Sequence, residues 1–497
     1  MKKGDNYING EWREAEGGAT FESRNPSRWE EVLGVFPRSG EADVRSAVSA
    51  AERAYPAWRR ISRIRRGELF DNFVQLARAE HEDISRTMAQ ECGKAINEAR
   101  ADVTEGIHMA QYVFGTARMP HGDVVSSEIA EKDAFILRKP KGEVAAITPW
   151  NFPFAVPLWL LGPSLVEGNT VVFKPSEETP LVGHRLADLF HRAGFPPGVV
   201  NVVHGLGEEV GAPLVRHPGI DVVLFTGSYE VGSEIKRICA GGPYKMAACE
   251  MGGKNAIIVD EDADLNIALK ACLLSAFKTT GQRCVSAGRV ILHETLLEPF
   301  AERFLPLVQR IQIGDPLDKD TFMGPLINEA GLKKVQYYND LAEQEGAEIL
   351  LKGGRMEDGR LGEGWFMSPS VYILPHKPSS RVLKEEVFGP HVALIPYKTL
   401  EQAIHIYNDT EYGLSMAVIT QNYRKARTVL RECEFGLGYF NLPTIGAEVH
   451  LPFGGMKKSG TGLPSASALV DAVTHRIAWT VNHSEDIEMA QGLKTEV

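Results

Sequence analysis

Val144-Ala145-Ala146-Ile147, Thr170-Val171-Val172-Phe173, Val199-Val200-Asn201-Val202-Val203 and Val222-Val223-Leu224-Phe225 are four short apolar runs within one stretch of the chain. Each is short for a helix and rich in residues that favour a pleated, buried surface. Between the second and third runs, Leu181 to Ala193 reads as a helix and is stopped by Gly194-Phe195-Pro196-Pro197-Gly198. Strand, helix and strand at this spacing imply parallel pairing with right-handed crossovers. The expected fold class is α/β.

Working outward, the N-terminal part reads as short strands followed by helices. From Asp43 to Trp58, Val44, Ala47, Val48, Ala51 and Tyr55 recur at helical spacing, as do Leu69, Phe70, Phe73, Val74 and Leu76 in the next segment. Downstream, Asn255-Ala256-Ile257-Ile258-Val259, a helix from Ala263 to Lys278 and Val290-Ile291-Leu292 start a second alternating series. This series reads as a second α/β domain, with the boundary just after Glu250. Residues on the two sides of that boundary would face each other across a cleft, a common home for ligands. There is no internal repeat, low-complexity tract or long flexible linker.

A chain of 497 residues exceeds what one core usually organises. With 54 basic and 65 acidic side chains the net charge is -11, which argues against a general nucleic-acid or anionic-membrane surface. Met1-Lys2-Lys3-Gly4-Asp5 leads into no apolar run, and no stretch has the length and apolarity of a membrane span. These features lead to the expectation of a cytoplasmic protein. Cys92, Cys239, Cys249, Cys272, Cys284 and Cys433 form no C-x-x-C pair and no zinc-ligand pattern, so no metal is expected and the thiols are read as reduced.

Chemistry enters with Thr279-Thr280-Gly281-Gln282-Arg283-Cys284 and Glu250-Met251-Gly252-Gly253-Lys254. A thiol can capture a carbonyl covalently, and a carboxylate can activate the water that releases it. Upstream stands Pro149-Trp150-Asn151-Phe152-Pro153; downstream stand Glu385-Glu386-Val387-Phe388-Gly389-Pro390 and Pro452-Phe453-Gly454-Gly455. In this order the set resembles the NAD(P)-dependent aldehyde dehydrogenase superfamily. The resemblance runs from Tyr7-Ile8-Asn9-Gly10 to Ile477-Ala478-Trp479-Thr480-Val481.

The resemblance implies a Rossmann-like cofactor domain at 1–125 and 143–250 and a catalytic α/β domain at 251–450. It also implies an oligomerisation arm and C-terminal tail at 126–142 and 468–497, in which Asp133 to Arg138 pairs with the final strand. A homodimer or homotetramer would follow, since a long exposed edge is a liability in a monomer. Cys284 is implied as nucleophile, Glu250 as the base for deacylation, and the Asn151 amide with the Cys284 N–H as donors to the developing oxyanion. Relatives that transfer the acyl group to coenzyme A often lack a base at the Glu250 position, so the carboxylate favours water as acceptor.

For the cofactor, the resemblance points to Thr148, Trp150, Lys174, Ser176, Glu177, Thr226, Gly227, Ser228, Met251, Glu386 and Phe388. Residues 225–232 also read directly as a strand opening into a helix, whose N-terminus offers free N–H groups to a pyrophosphate. Glu177 would repel a 2′-phosphate and favour NAD, although related enzymes with this glutamate also accept NADP. Arg283 could anchor a substrate carboxylate or form a structural ion pair behind the loop. Phe152, Trp159 and Phe453, with Phe154, are read as tunnel residues or core. Asn441-Leu442-Pro443-Thr444-Ile445-Gly446-Ala447-Glu448 resembles the antiquitin-like, α-aminoadipic semialdehyde branch, in which Gly446 and Ala447 would meet the carboxylate end of the substrate. Lys254 and Val285 stand where that branch tends to have asparagine and threonine. Bacterial α-ketoglutaric semialdehyde dehydrogenases are comparably similar. The expected reaction is oxidation of a short dicarboxylic semialdehyde; a broad-specificity aldehyde dehydrogenase and a CoA-acylating enzyme are the alternatives.

Overall fold

Residues 2–242 and 244–492 are described by a computed structural model; the final part of the expected C-terminal tail, 493–497, lies outside the described residues. The four apolar runs become neighbouring strands. With Met246–Glu250 they lie in the order Met246–Glu250, Val222–Thr226, Glu143–Ile147, Thr170–Lys174, Val200–Val202, all parallel. Asn6–Ile8 and Glu11–Arg13 complete this seven-stranded sheet as antiparallel neighbours beyond Val200–Val202. Chain direction across the sheet reverses between Glu143–Ile147 and Val222–Thr226, the point where an open α/β sheet leaves a crevice at its C-terminal strand ends.

Alternation along the strands explains why both faces are covered. Val144 and Ala146 join one apolar cluster and Ala145 another, as expected when successive side chains point to opposite faces of a buried parallel sheet. The helix expected from Leu181 spans Pro180–Arg192: Pro180 supplies a preset first turn, and Gly194 follows at φ 90°.

A second seven-stranded sheet has the order Glu348–Leu351, Ser370–Ile373, His391–Tyr397, Ala287–His293, Asn255–Val259, Ser415–Ile419, Leu437–Phe440. All its pairings are parallel except that of Glu348–Leu351 with Ser370–Ile373. Ala256 and Ile258 face one core, Ile257 and Val259 the other. Between the last strand of the first sheet and the first strand of the second lies only Met251-Gly252-Gly253-Lys254. The helix expected from Ala263 to Lys278 is Leu265–Phe277. It starts late because the Asp264 side chain accepts hydrogen bonds from the backbone N–H groups of Asn266 and Ile267, making Asp264 the cap.

Away from both sheets, Thr474–Asn482 pairs antiparallel with Lys132–Pro140 along its whole length, and Lys132–Pro140 pairs with Gly122–Val125. Among the described residues no helix is long and apolar enough to cross a membrane.

Candidate active site

Strand register brings several of the singled-out residues level. Thr226 is paired with Glu250, Phe225 with Ile147, and Ile147 with Lys174, so four adjacent parallel strands end on one line. Beyond Thr226, Ser228 caps the helix Tyr229–Ala240, its hydroxyl accepting from the Val231 N–H at 3.4 Å. Beyond Ile147, the Thr148 N–H donates to the Lys174 carbonyl at 3.4 Å. Lys174 Nζ bonds Glu177 Oε2 at 2.6 Å, and the Gly207 N–H reaches Glu177 Oε1 at 3.4 Å. Burial works against the Glu177 charge, but Lys174 outweighs it and holds that carboxyl below the usual range.

A cavity of about 540 Å³ opens between the strand ends of the first sheet and the 282–285 loop leading into the second. It is lined by Asn151, Glu250 and Cys284, by Trp150, Thr226, Gly227, Ser228, Met251, Glu386 and Phe388, and by Phe152, Trp159, Arg283, Gly446, Ala447 and Phe453. Thr148, Lys174, Ser176 and Glu177 are not in this lining; they continue from it along the strand ends. Phe154 also stays outside. It is fully buried in the core, its ring 6.4 Å from that of Phe73. Of these two aromatics, Phe152 lines the cavity and Phe154 is core.

The backbone at Cys284 is fixed from several sides. Asn255 Nδ2 donates to the carbonyls of Cys284 at 2.6 Å and Ser286 at 2.9 Å, while Asn255 Oδ1 accepts from the Ser415 N–H at 2.8 Å. Asn151 Nδ2 donates to the Gln282 carbonyl at 3.0 Å, and Gln282 Oε1 accepts from the Ile327 N–H at 3.0 Å. A primary amide carries a second donor hydrogen, so Asn151 is held at this loop with capacity to spare. Burial, with the negative charges of Glu386 and Glu250, pushes the half-buried Cys284 thiol up to about 12.

The two acidic residues of the cavity are held differently. Glu386 Oε1 accepts from the Gly253 N–H at 2.8 Å. A side chain at Gly252 would place its Cβ 2.3 Å from Glu386 Oε2, so the Glu386 carboxyl would have to shift from this position. Glu250 is buried, its Oε2 has no hydrogen-bond partner among the described residues, and burial raises its carboxyl well above the ordinary range. It lies against glycines: a Cβ at Gly454 would be 2.8 Å from Oε1, and one at Gly460 3.4 Å from Oε2.

Aromatic contacts shape the rest. Trp150 and Phe388 meet edge to face at 5.7 Å, with Phe388 at φ 62°, and Trp159 and Phe453 lie 4.7 Å apart. The Phe152 ring carries Lys94 Nζ at 3.7 Å and the Arg283 guanidinium at 5.1 Å. Both cations are paired to one helix, Ile96–Thr116: Lys94 to Asp102 at 2.7 Å and Arg283 to Glu98 at 2.7 Å. The ion-pair alternative for Arg283 is therefore realised, while its side chain still faces the cavity.

Sequence reasoning missed Glu98, Asn255, Gln282, Lys334 and Glu105. Glu105 lines the cavity, makes no side-chain hydrogen bond among the described residues, and is pushed up to about 8 by burial and the nearby Asp102. A signal for this helix was present: Glu98, Asp102 and Glu105 recur at helical spacing beside Ala99 and Val103, which are buried. Carboxylates on an apolar face need partners.

Residues 12–477 match the model of the aldehyde dehydrogenase family. The chain is 37% identical over 460 residues to an alpha-ketoglutaric semialdehyde dehydrogenase of Bacillus subtilis, covering 92% of this chain and 93% of that protein. A glutarate-semialdehyde dehydrogenase of Pseudomonas putida is 35% identical over 456 residues, with the same coverage. A crystal structure of an NAD-dependent aldehyde dehydrogenase from Sinorhizobium meliloti superposes with a TM-score of 0.94 at 33% identity, covering 99% of this chain and 97% of that one. The chain belongs to the aldehyde dehydrogenase family.

Proposed function

We propose that this enzyme oxidises a short dicarboxylic semialdehyde to its acid with NAD, using Cys284 as nucleophile, Glu250 as base and Asn151 as oxyanion donor. The observation that carries the reading is the single cavity in which Cys284, Glu250 and Asn151 face a wall of cofactor candidates and a wall containing Arg283, Gly446 and Ala447.

The residues present fit a dinucleotide. The capped helix Tyr229–Ala240 begins at the topological switch point, where free N–H groups suit a pyrophosphate. Lys174 and Glu177 sit farther along the strand ends, where ribose hydroxyls would be held and a 2′-phosphate repelled. Glu386, Phe388 and Trp150 border the cavity on the side of Cys284. When bound, NAD supplies the hydride acceptor that takes the captured carbon to the acid oxidation level.

The protein's own groups account for the remaining steps. The Cys284 thiol gives up its proton to solvent in the cavity as its sulfur adds to the aldehyde carbon, and the oxyanion formed from the carbonyl oxygen is met by the Asn151 amide and the Cys284 N–H. After oxidation, Glu250 takes a proton from water as its oxygen attacks the thioester carbon; the carbon–sulfur bond breaks and the acid leaves. A buried carboxylate with one oxygen unpartnered among the described residues suits this task, because burial makes it a stronger base. That favours hydrolysis over transfer to coenzyme A.

Substrate class rests on two supports: the relatives whose names state dicarboxylic semialdehydes, and Arg283 at the cavity. Arg283 gives Nε to Thr279 and Nη2 to Glu98, which leaves Nη1 for a substrate carboxylate. Gly446, at φ 112° and with open space where a side chain would stand, leaves backbone uncovered beside it. Glu105 bears on the α-substituent. In its protonated form it can donate to an α-keto oxygen; an α-ammonium would instead favour its ionised form. NADH formation with α-ketoglutaric, glutarate, α-aminoadipic and succinic semialdehydes, and with hexanal, tests this reading. The carboxylated substrates should lead hexanal in kcat/KM by roughly 10- to 100-fold, the worth of a charge-assisted hydrogen bond. Equal use of hexanal would overturn the substrate class and leave the dehydrogenase.

The division 1–125 with 143–250, 251–450, and 126–142 with 468–497 is supported by the two seven-stranded sheets and the separate three-stranded one, although Gly122–Val125 of the latter falls within 1–125. That last sheet exposes Val124, Val125, Leu137 and Trp479, which supports a homodimer or homotetramer closed through this arm. Sedimentation of a single monomeric species at micromolar concentration would count against it. We propose a cytoplasmic setting, on the reading of the six cysteines as reduced thiols.

A further inference from the structure

The turn leading into Cys284 is folded against its own preference. Thr279 and Thr280 stand at φ/ψ of 53°/32° and 58°/31°, and Gly281 follows at φ 70°. Left-handed backbone is rare for β-branched residues because Cβ crowds the carbonyl, and here two occur in succession. Something outside the turn has to hold it.

The helix Ile96–Thr116 supplies that hold. Glu98 Oε2 accepts from the Thr279 N–H at 3.0 Å, while Oε1 accepts from Thr279 Oγ1 at 2.8 Å and from Arg283 Nη2 at 2.7 Å. Arg283 Nε donates back to Thr279 Oγ1 at 2.8 Å, closing a ring of three side chains. Thr280 Oγ1 donates to the Gly324 carbonyl at 2.9 Å. Glu98 is buried; burial opposes its charge, but Arg283, Lys278 and Thr279 together keep it ionised. Without the carboxylate, a left-handed threonine N–H and a guanidinium would both be left short of a partner below the loop.

We infer that Glu98 is a positioning residue, which holds the left-handed Thr279-Thr280-Gly281 turn and thereby sets the Cys284 peptide and the Arg283 side chain. The inference rests on the reading of Cys284 as nucleophile. It makes an unusual demand: if Glu98 acts by holding an unfavourable turn, relieving that turn should partly replace it. Glycine adopts left-handed φ without the Cβ clash.

The test uses the full-length enzyme with NAD and its best semialdehyde, as wild type, Cys284→Ala, Glu98→Gln, Thr279→Gly and Glu98→Gln with Thr279→Gly. Glu98→Gln should lower kcat by about 100-fold, the usual effect of a small misplacement of reacting groups. Its NAD Kd should stay within about twofold, because the cofactor candidates stand on other elements, and KM for the semialdehyde should rise as Arg283 loosens. The double variant should regain at least about tenfold of the lost kcat, a non-additivity expected only of coupled residues. Glu98→Gln activity within about threefold of wild type would overturn the inference. So would a double variant no more active than Glu98→Gln, which would leave Glu98 as a charge partner only. Should Glu98→Gln fail to fold, Glu98→Asp with and without Thr279→Gly gives the same decision through recovery of kcat. Cys284→Ala separates the two layers: turnover in that variant would sink the nucleophile reading, whereas an inert Cys284→Ala beside an unaffected Glu98→Gln would sink only the inference.

Discussion

Glu98 and Glu250 are both buried carboxylates at the Cys284 loop, and the protein treats them in opposite ways. Glu98 is saturated by the Thr279 N–H, the Thr279 hydroxyl and Arg283, and its carboxyl lies below the ordinary range. Glu250 lies against Gly454 and Gly460 and leaves Oε2 without a partner among the described residues, and its carboxyl lies well above that range. A saturated charge holds structure, because protonating or moving it breaks several bonds at once. An unsatisfied one can change protonation within a turnover, at a standing cost to stability.

The largest effect that could break this contrast is on rate. Glu250→Gln should slow steady-state turnover by about 10²- to 10⁴-fold, the range of general-base catalysis, while a first-turnover burst of NADH survives. Loss of the burst would assign Glu250 to thiol activation instead. Next comes stability. Glu98→Ala removes one partner of a buried ion pair and should cost about 3–5 kcal/mol in urea unfolding, whereas Glu250→Gln should cost nothing at pH 8. A Glu98→Ala loss below about 1 kcal/mol would place the pair among surface-like bridges.

A smaller effect concerns the glycine cradle. Gly454→Ala would put a Cβ 2.8 Å from Glu250 Oε1; displacement of the carboxylate should lower kcat about tenfold, or about 1.4 kcal/mol, with NAD binding unchanged. Unaltered kcat would mean that the carboxylate turns away freely.

The smallest effect is a tilt with pH. Glu250, raised on folding, contributes stability that is complete below its unfolded value of about 4.5 and is lost as pH rises towards the folded value. Glu98, lowered on folding, contributes stability that is present above about 4.5 and is lost as pH falls. Above pH 4.5, Glu250→Gln should therefore gain on wild type by at most about 1.4 kcal/mol per pH unit, whereas Glu98→Gln should lose ground only as pH rises from the lowered folded value towards 4.5 and keep a constant deficit above it. Parallel stability curves for the two variants would erase the distinction.

Sequence by itself determined the α/β class, because apolar runs such as Val222–Phe225 record burial on both strand faces within a few residues. It also determined the chemical groups. A thiol, a carboxylate and an amide in Cys284, Glu250 and Asn151 are recognisable as residue types wherever they fold. Only the tertiary structure decided how those groups are held. Glu98 and Arg283 are separated by 185 positions, and no local period connects them. Strand order placed the ends at Glu250, Thr226, Ile147 and Lys174 side by side, through a pairing of Val222–Thr226 with Glu143–Ile147 that joins strands far apart in the chain. Phe152 and Phe154 carry the same side chain two positions apart, yet one lines the cavity and the other fills the core. The left-handed threonines are least legible of all, since their local preference points away from the conformation they adopt. Propensity and periodicity report what a segment favours alone; a buried hydrogen bond or ion pair from a distant helix can outweigh that preference, and it exists only once the chain has packed.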